Sequence, residues 1–239
     1  MNLNIIVDEI DGNINTNNKN TSKNKTIITL NNYKKYLFKF DVGSLEELFL
    51  MVNENEDGDS NGNDDIDNRF IDVKFDIDIL NKLSFDDNVI VRYEVALNKN
   101  CTVEILDRLS FDKDKDVRKF VASNINCPVK ILDRLSMDKD SDVRYRVALN
   151  KNCTIEILNK LSLDKDEDVR CEVALNKNSN VEILDRLSLD VEWIVRKFVA
   201  LNKNCPIEIL DRLTKDKDVD VRNTAIKRLN ELKIKMVEN

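Results

Sequence analysis

The chain has 239 residues, of which 41% are hydrophobic and 35% are charged, and its formal net charge is -7. This apolar fraction is sufficient for a folded core and argues against a chain that is disordered throughout. No stretch approaches the roughly 20 apolar residues that cross a bilayer, so we expect no membrane-spanning segment. The first ten residues lack the basic and apolar regions of a secretory signal, which predicts a cytoplasmic protein.

Several kinds of catalytic chemistry are excluded by composition. The chain contains no His, which removes His-based triads and His metal ligands. The last of four Gly is Gly62, so no glycine-rich phosphate loop follows it. Five Cys, an odd number, argue against a disulfide framework. We therefore predict a protein that is not an enzyme, with no catalytic residue, cofactor or metal site.

Residues 1–52 predict a small α/β segment. Residues 26–30 and 36–40 have the composition of strands, and Asn31-Asn32 between them suits the start of a hairpin turn. Ser44-Leu45-Glu46-Glu47 has capping-box spacing and predicts a helix that continues to about residue 53. A core this small is marginal on its own.

Residues 53–68 form a predicted acidic linker. Residues 1–78 carry 16 acidic and 8 basic side chains, whereas residues 79–239 carry 29 and 30, so the negative charge belongs to the first third. The segment 57–62 begins like a calcium-binding loop, with oxygen ligands at alternate positions and Gly at the sixth. Asn68 stands where the closing Glu is needed, which favours a solvated linker over a calcium site.

A 26-residue repeat occupies residues 69–239. The segment ILDRLS recurs with small changes from Ile79 onward, in steps of 26 residues, six times in all. A fixed period of this length is typical of a solenoid, in which each unit buries its apolar face against its neighbours. Residues 69–78 are interpreted as the end of an earlier unit. After Ala225 the last unit continues as a longer amphipathic helix, which predicts a C-terminal cap.

Each unit predicts two short helices. One has Pro128 at its first position, which makes Cys127 the predicted N-cap, and it places Val129, Leu132 and Leu135 on one face. Ser179-Asn180-Val181-Glu182 has capping-box spacing at the equivalent position.

The other helix of each unit begins near Asp116, a suitable N-cap, and ends at Asn124. In the next unit Val143 and Val147 lie four residues apart on its inner side, and the small Ala148 permits a close helix approach. The abundant Asn and Lys are attributed to nucleotide composition rather than to function.

The repeat resembles the leucine-rich repeat variant family. The segment 143–150 reads VRYRVALN and the segment 205–213 reads CPIEILDRL, and both match the consensus of that family. The resemblance implies a mainly α, right-handed α-solenoid in which α- and 3₁₀-helices alternate without a β-sheet. Some members hold an iron–sulfur cluster on cysteines before the repeats, but this chain has no Cys before Cys101. The family implies a binding scaffold rather than an enzyme.

Three residue types recur in register, and two of them, Cys and Arg, permit two readings each. A cysteine column suggests either metal ligands or small cap residues. Stacked helices lie roughly 8–10 Å apart, too far for sulfurs that must share one ion, so the cap is favoured. An arginine column suggests either a phosphate-binding ladder or pairing with an aspartate column, and the matched numbers favour pairing. The columns are Cys101, Cys127, Cys153, Ser179 and Cys205; Arg92, Arg118, Arg144, Arg170, Arg196 and Arg222; and Asp86, Asp112, Asp138, Asp164, Asp190 and Asp216.

The positions that the repeat leaves free hold aromatic and cationic residues. Such side chains are enriched at protein interfaces, but they also suit packing between layers, and the sequence favours neither reading. The predicted partner-binding residues are Tyr93, Lys119, Phe120, Tyr145, Arg146, Trp193, Lys197 and Phe198.

The predicted function is a non-enzymatic, monomeric scaffold that binds a protein partner through the surface of the solenoid. The alternative is nucleic-acid binding through stacked Arg and Lys columns, including Lys99, Lys151, Lys177 and Lys203. The balanced charge of residues 79–239 argues against a general attraction to phosphates.

Overall fold

The computed structural model describes residues 26–28, 44 and 73–237. The chain divides into two compact units, Met1–Val95 and Ala96–Asn239. The second predicted strand at 36–40, the helix predicted to follow Ser44, and the candidate calcium loop at 57–68 lie outside the described residues.

In the first unit, β1 (Thr26–Ile28) and β2 (Val73–Phe75) form a parallel two-stranded sheet. Thr26 lies opposite Val73, and Ile28 lies opposite Phe75. The sequence predicts the first strand but not this partner, because β2 falls in a stretch that the repeat pattern assigns to an earlier helical unit. Three residues are too few to show a period of two.

Twelve helices lie within residues 77–237, alternately short and long. The short helices have seven residues and begin every 26 residues: α1 (Ile77–Leu83), α3 (Val103–Leu109), α5 (Val129–Leu135), α7 (Ile155–Leu161), α9 (Val181–Leu187) and α11 (Ile207–Leu213). The long helices are α2 (Val89–Leu97), α4 (Lys115–Ser123), α6 (Ser141–Leu149), α8 (Glu167–Leu175), α10 (Trp193–Leu201) and α12 (Val219–Val237). In the second unit, consecutive long helices from α4 to α12 pack against one another.

The helix starts differ from the predicted caps by one or two residues. The N-cap of α5 is Pro128, in extended conformation with ψ 150°, and not Cys127. The N-cap of α4 is Asp114, whose carboxylate accepts the N–H of Asp116 at 2.8 Å. At α9 the cap is Asn180, one residue later than the predicted capping box. The physical reason is that only a residue in extended conformation can direct its backbone into the first turn.

The short helices are α-helices, whereas the resemblance implies 3₁₀-helices. In α5 the N–H of Leu132 donates to the carbonyl of Pro128, and the N–H of Ser136 donates to that of Leu132, both four residues back. Three-residue spacing appears in the turn that follows, where the N–H of Asp138 donates to the carbonyl of Leu135. The N–H of Ile131 also donates to the carbonyl of Pro128, three residues back, so the tighter geometry is found at the two ends of α5.

The core of the second unit repeats with the sequence. Leu132 and Leu135 of the face predicted for α5 are buried, whereas Val129 is 45% exposed and Ile131 is buried in its place. Burial of each large aliphatic side chain contributes about 1.5–3 kcal/mol. One repeat buries, at 2% exposure or less, Ile131, Leu132, Leu135, Val143, Val147 and Ala148.

The last helix, α12, is longer than the others and has 19 residues. This agrees with the predicted C-terminal extension. Within residues 77–237, none of the helices is both long and apolar enough to span a membrane.

Candidate functional site

Buried arginine–aspartate pairs join consecutive repeats of the second unit. Arg144 donates from Nε to Oδ2 of Asp164 at 2.6 Å and from Nη2 to Oδ1 at 2.8 Å. Its Nη1 donates to the backbone carbonyl of Asp138 at 2.8 Å. The two side chains are 7% and 8% exposed. The same bidentate pairing joins Arg118 to Asp138, Arg170 to Asp190, and Arg196 to Asp216.

The fold stabilises the ionised form of the Arg144–Asp164 pair although the pair is buried. Desolvation opposes the charge of Asp164, but the hydrogen bonds from Arg144 and from the N–H of Asp166 outweigh it and hold the pKa of Asp164 below its ordinary value. The hydrogen bond to Asp164 raises the pKa of Arg144. The predicted Arg–Asp pairing is thus confirmed for the four pairs of the second unit. Their guanidinium groups hold the repeats together and are already satisfied.

A second ladder, built from asparagines, was not predicted as a feature of function or structure. Asn150 donates from Nδ2 to the carbonyl oxygens of Ala122 at 2.7 Å and Asn124 at 3.0 Å, and its Oδ1 accepts the N–H of Asn152 at 2.8 Å. The carbonyl of Ala122 lies in the last turn of α4, where a helix leaves its acceptors unpaired. Each asparagine thus caps the helix of the preceding repeat. Asn124, Asn176 and Asn202 do the same.

The cysteine column is buried and protonated. The thiol of Cys153 points to the carbonyl of Thr154 at 3.9 Å. Burial raises the pKa of every thiol to about 12, and the residues concerned are Cys101, Cys127, Cys153, Cys171 and Cys205. Among the described residues, no group of three or more His, Cys, Asp or Glu is arranged to hold a metal ion.

A cleft of about 460 Å³ opens between the long helices α4, α6 and α8. It is called the Tyr145 cleft below. Three predicted partner-binding residues line it, namely Lys119, Tyr145 and Arg146. The other four lining residues were not predicted from the sequence, and they are Ser141, Asp142, Asp166 and Asp168.

The repeat itself positions the side chains of this cleft. In α6, Val143 and Arg144 are buried, as are Val147 and Ala148 one turn later. The intervening Tyr145 and Arg146 are half-buried, so they lie at the edge of the buried face of the helix and not within the core. The equivalent positions of neighbouring long helices therefore form a continuous surface.

Within the cleft, most polar groups are already paired. The hydroxyl of Tyr145 donates to Oε1 of Glu172 at 2.9 Å, and burial together with this bond raises the pKa of Tyr145. Lys119 Nζ lies 2.6 Å from Oδ1 of Asp116. The guanidinium carbon of Arg146 lies 5.7 Å from the centre of the Tyr145 ring, within the range of a cation–π contact.

The other predicted residues also lie on long helices. Phe120 is half-buried on α4, and Lys119 Nζ lies 5.1 Å from its ring centre. On α10, Trp193 is 39% exposed, and Lys197 Nζ lies 5.5 Å from its ring centre. Phe198 is half-buried on the same helix. These aromatic rings both pack against the protein and present surface to solvent.

Tyr93 is half-buried on α2 and belongs to the first unit. The remaining seven predicted residues lie in the second unit, on α4, α6 and α10. The surface formed by these seven residues and the other residues of the Tyr145 cleft is called the long-helix face below.

Comparison with known proteins places the fold among helical repeats. No family model matches the sequence, and no curated protein is significantly similar to it. A solved leucine-rich repeat variant, described as having a novel repetitive structural motif, is similar with 25% identity and a TM-score of 0.55, over 83% of this chain and 81% of that one.

Two further solved structures are more distant. An engineered protein has 19% identity and a TM-score of 0.41, over 64% of this chain and 95% of its own. The Escherichia coli protein YibA has 20% identity and a TM-score of 0.48, over 78% of this chain and 75% of its own.

The chain is thus a mainly α helical-repeat solenoid. Its repeat is like that of the leucine-rich repeat variant, which confirms the resemblance seen in the sequence.

Proposed function

We propose that this protein is a non-enzymatic binding module that engages a protein partner through the long-helix face. The observation that carries the proposal is the Tyr145 cleft, where an aromatic ring and a guanidinium group are half-buried beside each other. Tyr, Trp and Arg supply most of the binding energy at protein interfaces, and here they occur at positions that the repeat leaves free.

The charge of the cleft supports a protein partner over a nucleic acid. Three carboxylates, those of Asp142, Asp166 and Asp168, line it beside two cations. A phosphate backbone would be repelled by these groups. Four arginines of the second unit are held in bidentate pairs, such as that of Arg144 with Asp164, and offer no phosphate-binding ladder.

The proposal that the protein is not an enzyme is supported by the groups in the cleft. Its aromatic hydroxyl, that of Tyr145, donates to Glu172, and the pKa of Tyr145 is raised, which disfavours the phenolate that a base or nucleophile would require. The proposal includes the cytoplasmic location and the monomeric state that the sequence predicts.

The test compares partner capture by matched variants of the full chain. The tagged protein and the double variant Tyr145→Ala with Phe198→Ala are used as baits in lysate of the source cell, with quantitative mass spectrometry as the readout. We expect the most enriched partner to fall at least about tenfold with the double variant, since interface aromatics are typical hot spots.

The control is Met137→Ser, which changes a side chain that is 70% exposed in the turn after α5 and lies outside the long-helix face. It retains capture if the proposal is right. Equal capture by the wild type and the Tyr145→Ala, Phe198→Ala variant, with unchanged circular dichroism and thermal midpoint, would refute the long-helix face as the binding surface.

A further inference from the structure

Two opposite charges in the Tyr145 cleft, those of Arg146 and Asp168, have no ion-pair partner among the described residues, although the guanidinium of Arg146 also lies against the ring of Tyr145. Asp142 is paired with Lys115 at 2.9 Å. By contrast, no hydrogen bond or ion pair within the described part of the chain engages the guanidinium of Arg146 or the carboxylate of Asp168. Arg146 is half-buried, whereas Asp168 is exposed at the first turn of α8.

We propose that the Tyr145 cleft binds an extended peptide segment, with an acidic side chain of the partner on Arg146 and a basic side chain on Asp168. This inference rests on the proposed function and specifies the chemistry of the partner. The two charges without ion-pair partners are complementary to such a segment, and the ring of Tyr145 lines the same cleft.

The positions of Arg146 and Asp168 on their helices set the number of residues expected between the acidic and basic side chains of the partner. Asp168 is the equivalent of Asp142 one repeat later, and Asp142 precedes Arg146 by one turn of α6. Four residues of α-helix rise about 6 Å along the axis, and packed helices lie roughly 8–10 Å apart. The backbone positions that carry the two charges are therefore about 11 Å apart, close to the about 13 Å that four residues of extended chain span. Residues four apart on a strand also point to the same side.

A peptide can pair both charges of the cleft, which a single ion or a nucleic acid does not. A free anion would use Arg146 and leave Asp168 without a partner. A nucleic acid would place phosphates beside Asp166 and Asp168, where like charges repel. A peptide segment that carries one acidic and one basic side chain provides a partner for Arg146 and another for Asp168.

The test uses fluorescein-labelled peptides of ten residues with a Ser, Thr and Val background. One peptide has Glu and Lys four positions apart, a second has Glu at both positions, and a third has Lys at both. Fluorescence anisotropy with the full-length protein is measured at about 50 mM salt, where Coulomb interactions are weakly screened. We expect the mixed peptide to bind about tenfold more tightly than either of the others, since each mismatch replaces an attraction by a repulsion.

Variants of Arg146 and Asp168 test the inference with peptides that carry the same charge at both positions. The result then does not depend on the direction in which the peptide binds. Arg146→Glu is expected to switch the preference to the peptide with two Lys, and Asp168→Lys is expected to switch it to the peptide with two Glu. Lys130→Glu, an exposed change on α5 that lies outside the long-helix face, is the matched control and retains the preference of the wild type.

Equal binding of the three peptides, or no binding of any at millimolar concentration, would overturn the inference. Tighter binding of a single-stranded DNA oligonucleotide than of the mixed peptide would overturn it as well. If partner capture depends on Tyr145 but the peptide preference does not switch in the charge variants, the proposed function stands and the inference about partner chemistry fails.

Discussion

Replacement of Asn150 by Ala tests whether the asparagine ladder holds consecutive repeats together. The side chain is 7% exposed, donates two hydrogen bonds to backbone carbonyls of the preceding repeat, and accepts one from the N–H of Asn152. Each buried hydrogen bond contributes about 1 kcal/mol net. We therefore expect Asn150→Ala to lower the free energy of unfolding by about 3 kcal/mol.

The matched control is Asn152→Ala in the same turn. Asn152 donates from Nδ2 to the carbonyl of Ile125 at 2.8 Å in an exposed bond, and to that of Cys127 at 3.4 Å in a long one. The loss of these bonds is expected to cost about 1 kcal/mol. Urea denaturation followed by circular dichroism measures both losses. Because arrays of repeats can depart from two-state unfolding, amide hydrogen exchange provides a local readout. The N–H of Asn152 loses protection in Asn150→Ala and keeps it in Asn152→Ala.

Equal losses of stability in the two variants would refute this reasoning. So would unchanged protection of the Asn152 N–H in Asn150→Ala, because that amide has its acceptor on the side chain that has been removed.

Three further predictions concern the buried charges and thiols. Asp164→Ala leaves Arg144 buried without its carboxylate partner and is expected to lower the free energy of unfolding, measured by urea denaturation, by about 3–5 kcal/mol. Arg144→Met combined with Asp164→Leu is expected to cost far less, and equal losses would contradict this. The pKa values of Asp138, Asp164 and Asp216 are lowered in the folded state, so the unfolded chain binds protons first as the pH falls. The contribution of these three carboxylates to the free energy of unfolding is complete above about pH 4 and is lost as the pH falls further. A urea midpoint that is constant down to pH 2 would exclude this effect. Since burial raises the pKa of Cys153 to about 12, we expect Ellman's reagent at pH 8 to label it only after urea is added, and immediate labelling would contradict its burial.

The period of the repeat made most of the second unit predictable. Because the same apolar positions recur every 26 residues, the sequence predicts two helices in each repeat and a longer helix at the end. Errors are local and arise where two residues compete for one role. Asp114 and Asp116 are both suitable caps, and only the backbone geometry selects Asp114. Val129 has the spacing of a core residue, yet it stands at the first position of α5, where its side chain is 45% exposed.

The candidate site was predictable only in part. Tyr145 and Arg146 stand out because the repeat does not require them. Asp166 and Asp168 do not stand out, because Asp is frequent at helix starts, where Asp166 indeed accepts the N–H of Asp168 at 3.1 Å. The ladder of asparagines that includes Asn150 carried a signal in its 26-residue register, but its role depends on carbonyls of another repeat, which only the fold brings within reach.

The bonds between repeats also restrict how such a chain can change its length. Arg144 reaches an aspartate 20 residues ahead, and Asn150 reaches carbonyls 26 and 28 residues behind. Insertion or loss of a whole 26-residue unit therefore leaves every arginine and asparagine of the ladders with a partner of the same kind, because only the contacts at the junction change. A deletion of even one residue within a unit shifts both ladders out of register at that point. Gene segments that encode whole units can thus be duplicated or removed, and both ladders are kept. The number of units is therefore free to vary, while the length of each unit is fixed.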